Sequence, residues 1–202
     1  MVSLRSVVAA IALTVPVMAQ TIPAQVVNNI EMLTQKSQAL QGPAQSINII
    51  NGPLIIIGQG PFPQIILGFT DIVSTTTAAL SQMNGMTPVP AGAQSDAIFD
   101  AFREFVRVHQ VLLNILIGKA GLFSTVPLIG EPVAAVLRQI ENIVDTVAFA
   151  LIDSVQSRAT DLQNQAGSLD GTLTTAINSY SGISLKRAAP ISRVRRALVA
   201  AN

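Results

Sequence analysis

The sequence predicts an all-α protein, an antiparallel bundle of five to six amphipathic helices. Three observations carry that expectation. Apolar residues recur at alternating spacings of three and four through most of the chain. No segment keeps the period-two alternation of a half-buried strand. Clusters of Gly and Pro punctuate the apolar runs at intervals that suit ordinary helices.

The chain divides into three parts. Residues 1–19 read as a secretory signal peptide, because Arg5 precedes the apolar stretch SVVAAIALTVPVMAQ and Val17 and Ala19 stand at the small-residue positions before a cut ahead of Gln20. Residues 20–185 form the helical-bundle domain. Residues 186–202 are a basic tail, disordered or processed: LKRAAP and RVRR offer dibasic sites, and cleavage after Arg187 and a retained flexible tail are equal alternatives. Without Cys, the fold holds by packing alone, with no disulfide and no zinc finger. No Asn-x-Ser/Thr triplet invites N-linked sugar, and release rather than tethering by a lipid anchor is expected.

The first helix begins at Pro23, which suits a first turn. It carries Val26, Ile30, Leu33, Ser37 and Leu40 on one face and ends at Gly42-Pro43. Next comes a stretch without charge between Lys36 and Asp71. Pro53, Pro61 and Pro63 with Gly52, Gly58, Gly60 and Gly68 rule it out as a membrane span, since they would leave backbone groups unpaired in lipid. It reads instead as two apolar helices around a Gly-Pro corner, hidden in the protein interior. The second helix runs from about Ala44 to Ile57, irregular at Gly52-Pro53, and GQGPFP is the corner.

A third helix, from about Gln64 to Met83, sets Ile65, Ile66, Phe69, Ile72, Val73 and Leu80 against the weakly polar STTTAA. NGMTPVPAG, Asn84 to Gly92, is a loop. The fourth helix, from about Gln94 to Lys119, has the strongest amphipathic pattern. Phe99, Phe102, Val106, His109, Leu113 and Leu116 share one face, while Asp96, Asp100, Arg103 and Arg107 share the other. After the break GLFSTVPLIG, a fifth helix starts at Gly130-Glu131-Pro132, with Val133, Leu137, Ile140, Val144, Val147 and Leu151 in one stripe. Unbroken to Gln165 it would measure about 52 Å, so a bend is expected near Ser154 to Ser157. AGSLDG reads as a turn into a last helix, about Thr172 to Ser181, ended by Gly182.

Half of the 202 residues are hydrophobic and only 11% are charged. Between Gln20 and Leu185 six basic residues face eleven acidic ones, so the bundle itself is acidic; with aromatics at 4%, nucleic acid is not an expected partner. His109, the one histidine, would have to be the base of any Ser-His-acid hydrolase, yet it sits in an apolar stripe and no Gly-x-Ser-x-Gly elbow exists. It reads as a core-edge histidine bonded to a neighbour. The carboxylates fall on solvent faces, Asp145 and Asp153 being the least clearly placed for a glycosidase pair. One His, no Cys and no Glu-x-x-His pair give no metal site, and GQGPFPQ lacks the Lys-Ser/Thr ending of a phosphate loop. No catalytic residue, metal or cofactor is expected, and the chain reads as a non-enzyme.

What remains is the aliphatic surplus. Ile47, Ile49, Ile50, Leu54, Ile55, Ile56 and Ile57 occupy every side of the second helix, which must be enclosed all round as a central core helix or face something apolar. Helices built from Ile, Leu, Val and Phe can also leave a cavity for a lipid chain. About fifteen buried methylenes give roughly 12 kcal/mol before ordering costs, and need no polar motif.

The stretch LQGPAQSINIINGPLIIIGQGPFPQIILGFTDIVSTTTAALSQM, with the signal peptide before it and two long amphipathic helices after it, resembles the fungal hydrophobic surface binding protein A family, which includes secreted antigenic cell wall galactomannoproteins. The likeness covers about Ile22 to Ser181. It implies a helical bundle, export to the medium or the cell wall, no enzymatic activity, and adsorption to hydrophobic surfaces or enclosure of fatty acids. It carries over no single ligand residue. Members with a Ser/Thr-rich stalk or lipid anchor differ from this chain, so the resemblance leaves wall attachment and heavy O-mannosylation open.

The expectation is a secreted, non-enzymatic binder of a long-chain fatty acid or other lipid in a cavity between helices two to five. Its walls would include Ile55, Ile66, Phe69, Phe102, Phe105, Leu112, Val144 and Val147, with His109 as polar contact to a head group. The alternative is an interfacial adhesion protein that coats hydrophobic surfaces and recruits hydrolases.

Overall fold

The computed structural model describes residues 23–123 and 129–199, with the side chains of 23–122 and 129–181. The signal-peptide segment, residues 1–19, lies outside them. Five α-helices are present among the described residues, α1 (Pro23–Ser46), α2 (Pro61–Met83), α3 (Ala93–Ala120), α4 (Gly130–Ser154) and α5 (Ala159–Val199), and no strand.

Consecutive helices alternate in direction. Asn29 near the start of α1 donates to Gln82 near the end of α2 (3.1 Å). Lys119 at the end of α3 donates to the Ile47 carbonyl just beyond α1 (2.8 Å). The Val89 N–H, in the α2–α3 connection, donates to the Ser154 carbonyl at the end of α4 (2.8 Å). In space the helices close a ring in the order α1, α3, α5, α4, α2, each packed on its two neighbours, while the diagonal pairs scarcely touch. Val89, in the α2–α3 connection, and Ile129, just before α4, are buried.

α3 and α4 form where the periodicity expects them, and their stripes are buried, except Phe99, which is half-buried under the guanidinium groups of Arg103 and Arg158. The expected bend after α4 is a break at Val155 followed by the 3-10 turn Gln156–Arg158. There Arg158 ties α5 to α3 through Asp96 (2.6 Å) and pairs with Asp161 (3.2 Å).

Three readings need correction. The first helix does not stop at Gly42-Pro43 but continues to Ser46. Pro43 removes one backbone donor, but Gly42 brings no Cβ against the ring, and the full burial of Ala44 and Ile47 offsets the loss. The second helix, Ala44 to Ile57, does not form. Asn48 and Asn51 capture the backbone instead. Asn48 Oδ1 accepts from the N–H groups of Ile50 (2.9 Å) and Asn51 (3.0 Å), and Asn51 Oδ1 accepts from the N–H of Asn48 (2.8 Å). Only the 3-10 turn Gly52–Ile57 follows, closed by Gly58 at φ 71°. The aliphatic run is therefore not a hidden core helix: Ile47 is buried, but Ile49 is 69% and Ile50 86% exposed, and Ile56 and Ile57 also face outward.

The third correction is α5. AGSLDG makes no turn, and Gly182 does not end the helix. Leu162, Leu169, Leu173, Ala176, Ile177 and Tyr180 form one buried stripe against α3 and α4, and this packing outweighs the weak helix propensity of Gly167, Ser168 and Gly171. Gln110 on α3 fixes the register by donating to the Ser168 carbonyl (3.0 Å) and to Thr172 Oγ1 (3.1 Å). The backbone of the basic tail continues this helix to Val199.

Candidate functional site

Within the ring, α1, α2, α3 and α4 enclose a narrow apolar seam. Ile30 and Leu33 of α1, Thr76 of α2, Phe102 and Phe105 of α3, and Val144 and Val147 of α4 converge on it. Thr76 spends its proton on the Ile72 carbonyl one turn back (2.6 Å), so the lining presents no free donor. The free volume is about 10 Å³, room for one water at most.

Of the expected wall residues, Phe102, Phe105, Val144 and Val147 meet at this seam. Phe69 and Leu112 are fully buried in the core, Phe69 with its ring edge-on to His109 at 6.0 Å. Ile55 and Ile66 are half-buried against the core and do not line the seam, since Ile55 sits in the 3-10 turn and Ile66 on the flank of α2. Sequence reasoning missed Ile30, Leu33 and Thr76 as wall residues. Ile30 and Leu33 already stood on the α1 stripe, and Thr76 lies four residues after Ile72 and seven after Phe69, so the same helical spacing could have found it.

Outside the seam, α2 and α4 bound an open groove of about 770 Å³ lined by Leu80, Met83, Met86, Phe149 and Ala150 among others. Phe149 is 71% exposed there. Thr77 and Thr146 line this groove while their neighbours Thr76 and Val147 line the seam, so one layer of side chains between α2 and α4 separates them. That contact is the least extensive in the ring. α2 is joined to the fold by glycines in left-handed conformations, Gly60 (φ 85°) before it and Gly85 (φ 78°) after it. At Gly60 a Cβ would stand 2.8 Å from the Asn51 carbonyl oxygen.

His109 is not at the edge of the core but fully buried in it, and burial pulls its pKa down to about 4. Its Nδ1 lies 2.9 Å from Ser37 Oγ, which also contacts the Leu33 carbonyl at 2.9 Å. A Ser-His pair of this kind is not a hydrolytic dyad. In a triad the ring holds a carboxylate with its other nitrogen; here Nε2 has no hydrogen-bond partner among the described residues. Ser37 is equally inaccessible to water. Asp145 has its pKa raised, first by burial and then by the like charge of Asp170 across the α4–α5 contact. Among the described residues no cluster of His, Cys, Asp or Glu could hold a metal, and no helix is long and apolar enough to cross a membrane.

No protein-family model matches the chain, and no curated protein does. Solved structures do. The chain is similar to AfMP4p of Aspergillus in complex with palmitic acid, at a TM-score of 0.69 and 14% identity over 79% of this chain and 99% of that one. It is similar to ligand binding domain 2 of the Penicillium marneffei MP1 protein complexed with multiple arachidonic acids (TM-score 0.63, 12% identity, 79% and 94% covered). Ligand binding domain 1 of the same protein, complexed with arachidonic acids, matches at a TM-score of 0.59 and 15% identity, with 77% and 98% covered. At such identities the likeness is one of fold: this chain adopts the helical bundle of those fungal proteins.

Proposed function

We propose that this chain is a non-enzymatic binder of long-chain fatty acids or related lipids, which it holds along the seam between its helices. One observation carries the reading. Four of the five helices, α1 to α4, close on a seam without a free donor or charge, in the fold of proteins solved with palmitic and arachidonic acids. The same likeness supports membership in the fungal hydrophobic surface binding and antigenic galactomannoprotein group, and with it export to the medium or the cell wall. Nucleic acid has no part in this reading.

A seam of about 10 Å³ is too small for an acyl chain, so a guest enters as the helices part. The α2–α4 contact is where they do so: it is the sparsest in the ring, α2 swings on Gly60 and Gly85, and the Phe149 groove lies outside it. The test is native mass spectrometry of delipidated protein with palmitic acid, with displacement of a fluorescent acyl probe alongside. One or more bound acyl chains are expected. Absence of any complex by both methods would sink the proposal.

A second reading rests on the tip formed by Ile49, Ile50, Ile56 and Ile57, with Leu67 exposed nearby on α2. Such a tip favours adsorption to apolar surfaces. Binding to polystyrene particles that disappears in Ile50→Asp with Ile56→Asp, while acyl binding in solution persists, would separate this activity from the first.

A further inference from the structure

Ser37 and His109 sit one helical turn beyond the seam. Ser37 follows Leu33 by four residues on α1, His109 follows Phe105 by four on α3, and Leu33 and Phe105 both line the cavity. The His109 ring packs against Phe105 at 5.3 Å between centroids and against Phe69 at 6.0 Å.

Ser37 Oγ has one proton and two contacts of 2.9 Å, to the Leu33 carbonyl and to His109 Nδ1. Both are hydrogen bonds only if Ser37 donates to the carbonyl, which cannot donate back, and accepts from Nδ1–H. The single proton of the neutral ring is thereby assigned to Nδ1, and Nε2 keeps a lone pair. That nitrogen is buried and has no partner among the described residues. A buried acceptor without a donor costs free energy that a matching ligand group recovers. Among the described residues the ring bonds to Ser37 from α1 and packs on Phe69 from α2 and Phe105 from its own helix, none of them charged. Burial is the only cause of its lowered pKa, with no contribution from a charged group on α1, α2, α4 or α5.

We infer that the polar end of the guest is an O–H donor, a protonated carboxylic acid or an alcohol, received by Nε2 of His109. This rests on the lipid-binding reading above. A carboxylate would set its lone pairs against that of Nε2, in a site where no described residue offers a cation. A fatty acid ionised in solution therefore enters with one proton taken from the solvent, whether that proton stays on oxygen or moves to Nε2. Ser37 is the positioning residue, because it holds the ring in the tautomer that accepts.

The experiment uses the full chain and three ligands of equal acyl length, tetradecanol, methyl myristate and myristic acid, in displacement of a fluorescent acyl probe. The alcohol-to-ester affinity ratio should fall about five- to tenfold from wild type to His109→Phe, and comparison between proteins cancels the different solubilities of the two ligands. Ser37→Ala, which releases the tautomer, should lower the same ratio. Myristic acid should take up about one proton per molecule bound at pH 8, read by calorimetry in two buffers of different ionisation heat. Because His109 is the only histidine, its ¹⁵N spectrum is unambiguous and independent of any variant: Nδ1 should be protonated, Nε2 not, and the Nε2 signal should move on adding tetradecanol. An unchanged ratio in His109→Phe, a protonated Nε2 in the free protein, or acid binding without proton uptake would each overturn the inference while leaving lipid binding intact. If the probe itself does not bind, the lipid-binding reading fails and the inference falls with it.

Discussion

The same substitution, Gly to Ala, should have opposite effects at two places in this bundle. Gly167 and Gly171 lie inside α5, exposed, and a Cβ at either meets nothing within 4 Å. Ala there gains the helix propensity that Gly lacks, about 0.8–1 kcal/mol each, with no packing cost. Gly167→Ala with Gly171→Ala should therefore stabilise by about 1.5–2 kcal/mol, a rise in Tm of about 3–8 °C for a chain of this size. Gly68 lies inside α2 where α1 comes closest. A Cβ there would stand 2.3 Å from Leu40 Cδ2, 2.9 Å from Cδ1 and 3.0 Å from Cγ. Leu40 is buried in the core and has little freedom to turn aside, so overpacking of about 1–3 kcal/mol opposes the same propensity gain. Gly68→Ala should destabilise by about 1 kcal/mol. Urea unfolding followed by far-ultraviolet circular dichroism measures all three variants on one scale. If the α5 pair lowered stability, AGSLDG would be a turn in solution and the continuous helix would be wrong. If Gly68→Ala stabilised as much as Gly171→Ala, the close approach of α1 and α2 would be wrong.

Stability should also respond to pH through His109. Its folded pKa, about 4, lies below the ordinary value of 6.5, so its contribution is complete above pH 6.5 and is lost progressively as pH falls to about 4. The loss is on the order of 3 kcal/mol, and urea midpoints at pH 7 and pH 4.5 should show this part of the slope flattened in His109→Phe. Phe105→Ala should cost about 3–5 kcal/mol and open the seam; palmitic acid should then raise its Tm more than that of the wild type, whereas an equal rise would place the guest elsewhere. Phe149→Glu, at an exposed position in the α2–α4 groove, should leave the unfolding free energy within about 0.5 kcal/mol of wild type but slow acyl loading in stopped-flow fluorescence; unchanged loading would place the entrance elsewhere.

The legible parts of this molecule are those where one physical signal dominates. α3 and α4 combine apolar stripes at helical spacing with charged faces, and both folded as their patterns require. Phe102, Phe105, Val144 and Val147 met at one seam because stripe positions on neighbouring helices point inward together. Ser37 was visible as the one polar member of the α1 stripe, but its partner, 72 residues away on α3, was not. The segment around Asn48 and Asn51 misled because hydrophobicity was read without side-chain competition for the backbone. α5 misled in the other direction, since Gly and Ser suggested a turn where a buried stripe imposes a helix.

Composition and periodicity by themselves determined that this chain is helical and held by packing alone, because apolar spacing dictates which face each helix must bury and the absence of Cys leaves no other bond to make. They also determined how many helices there would be, to within one. Tertiary structure alone decided that five helices close as a ring in the order α1, α3, α5, α4, α2. It alone decided that an aliphatic run becomes exposed, and that one histidine nitrogen is buried without a hydrogen-bond partner among the described residues. Those outcomes depend on contacts between residues far apart in the chain, and no local pattern carries the distance between α1 and α3.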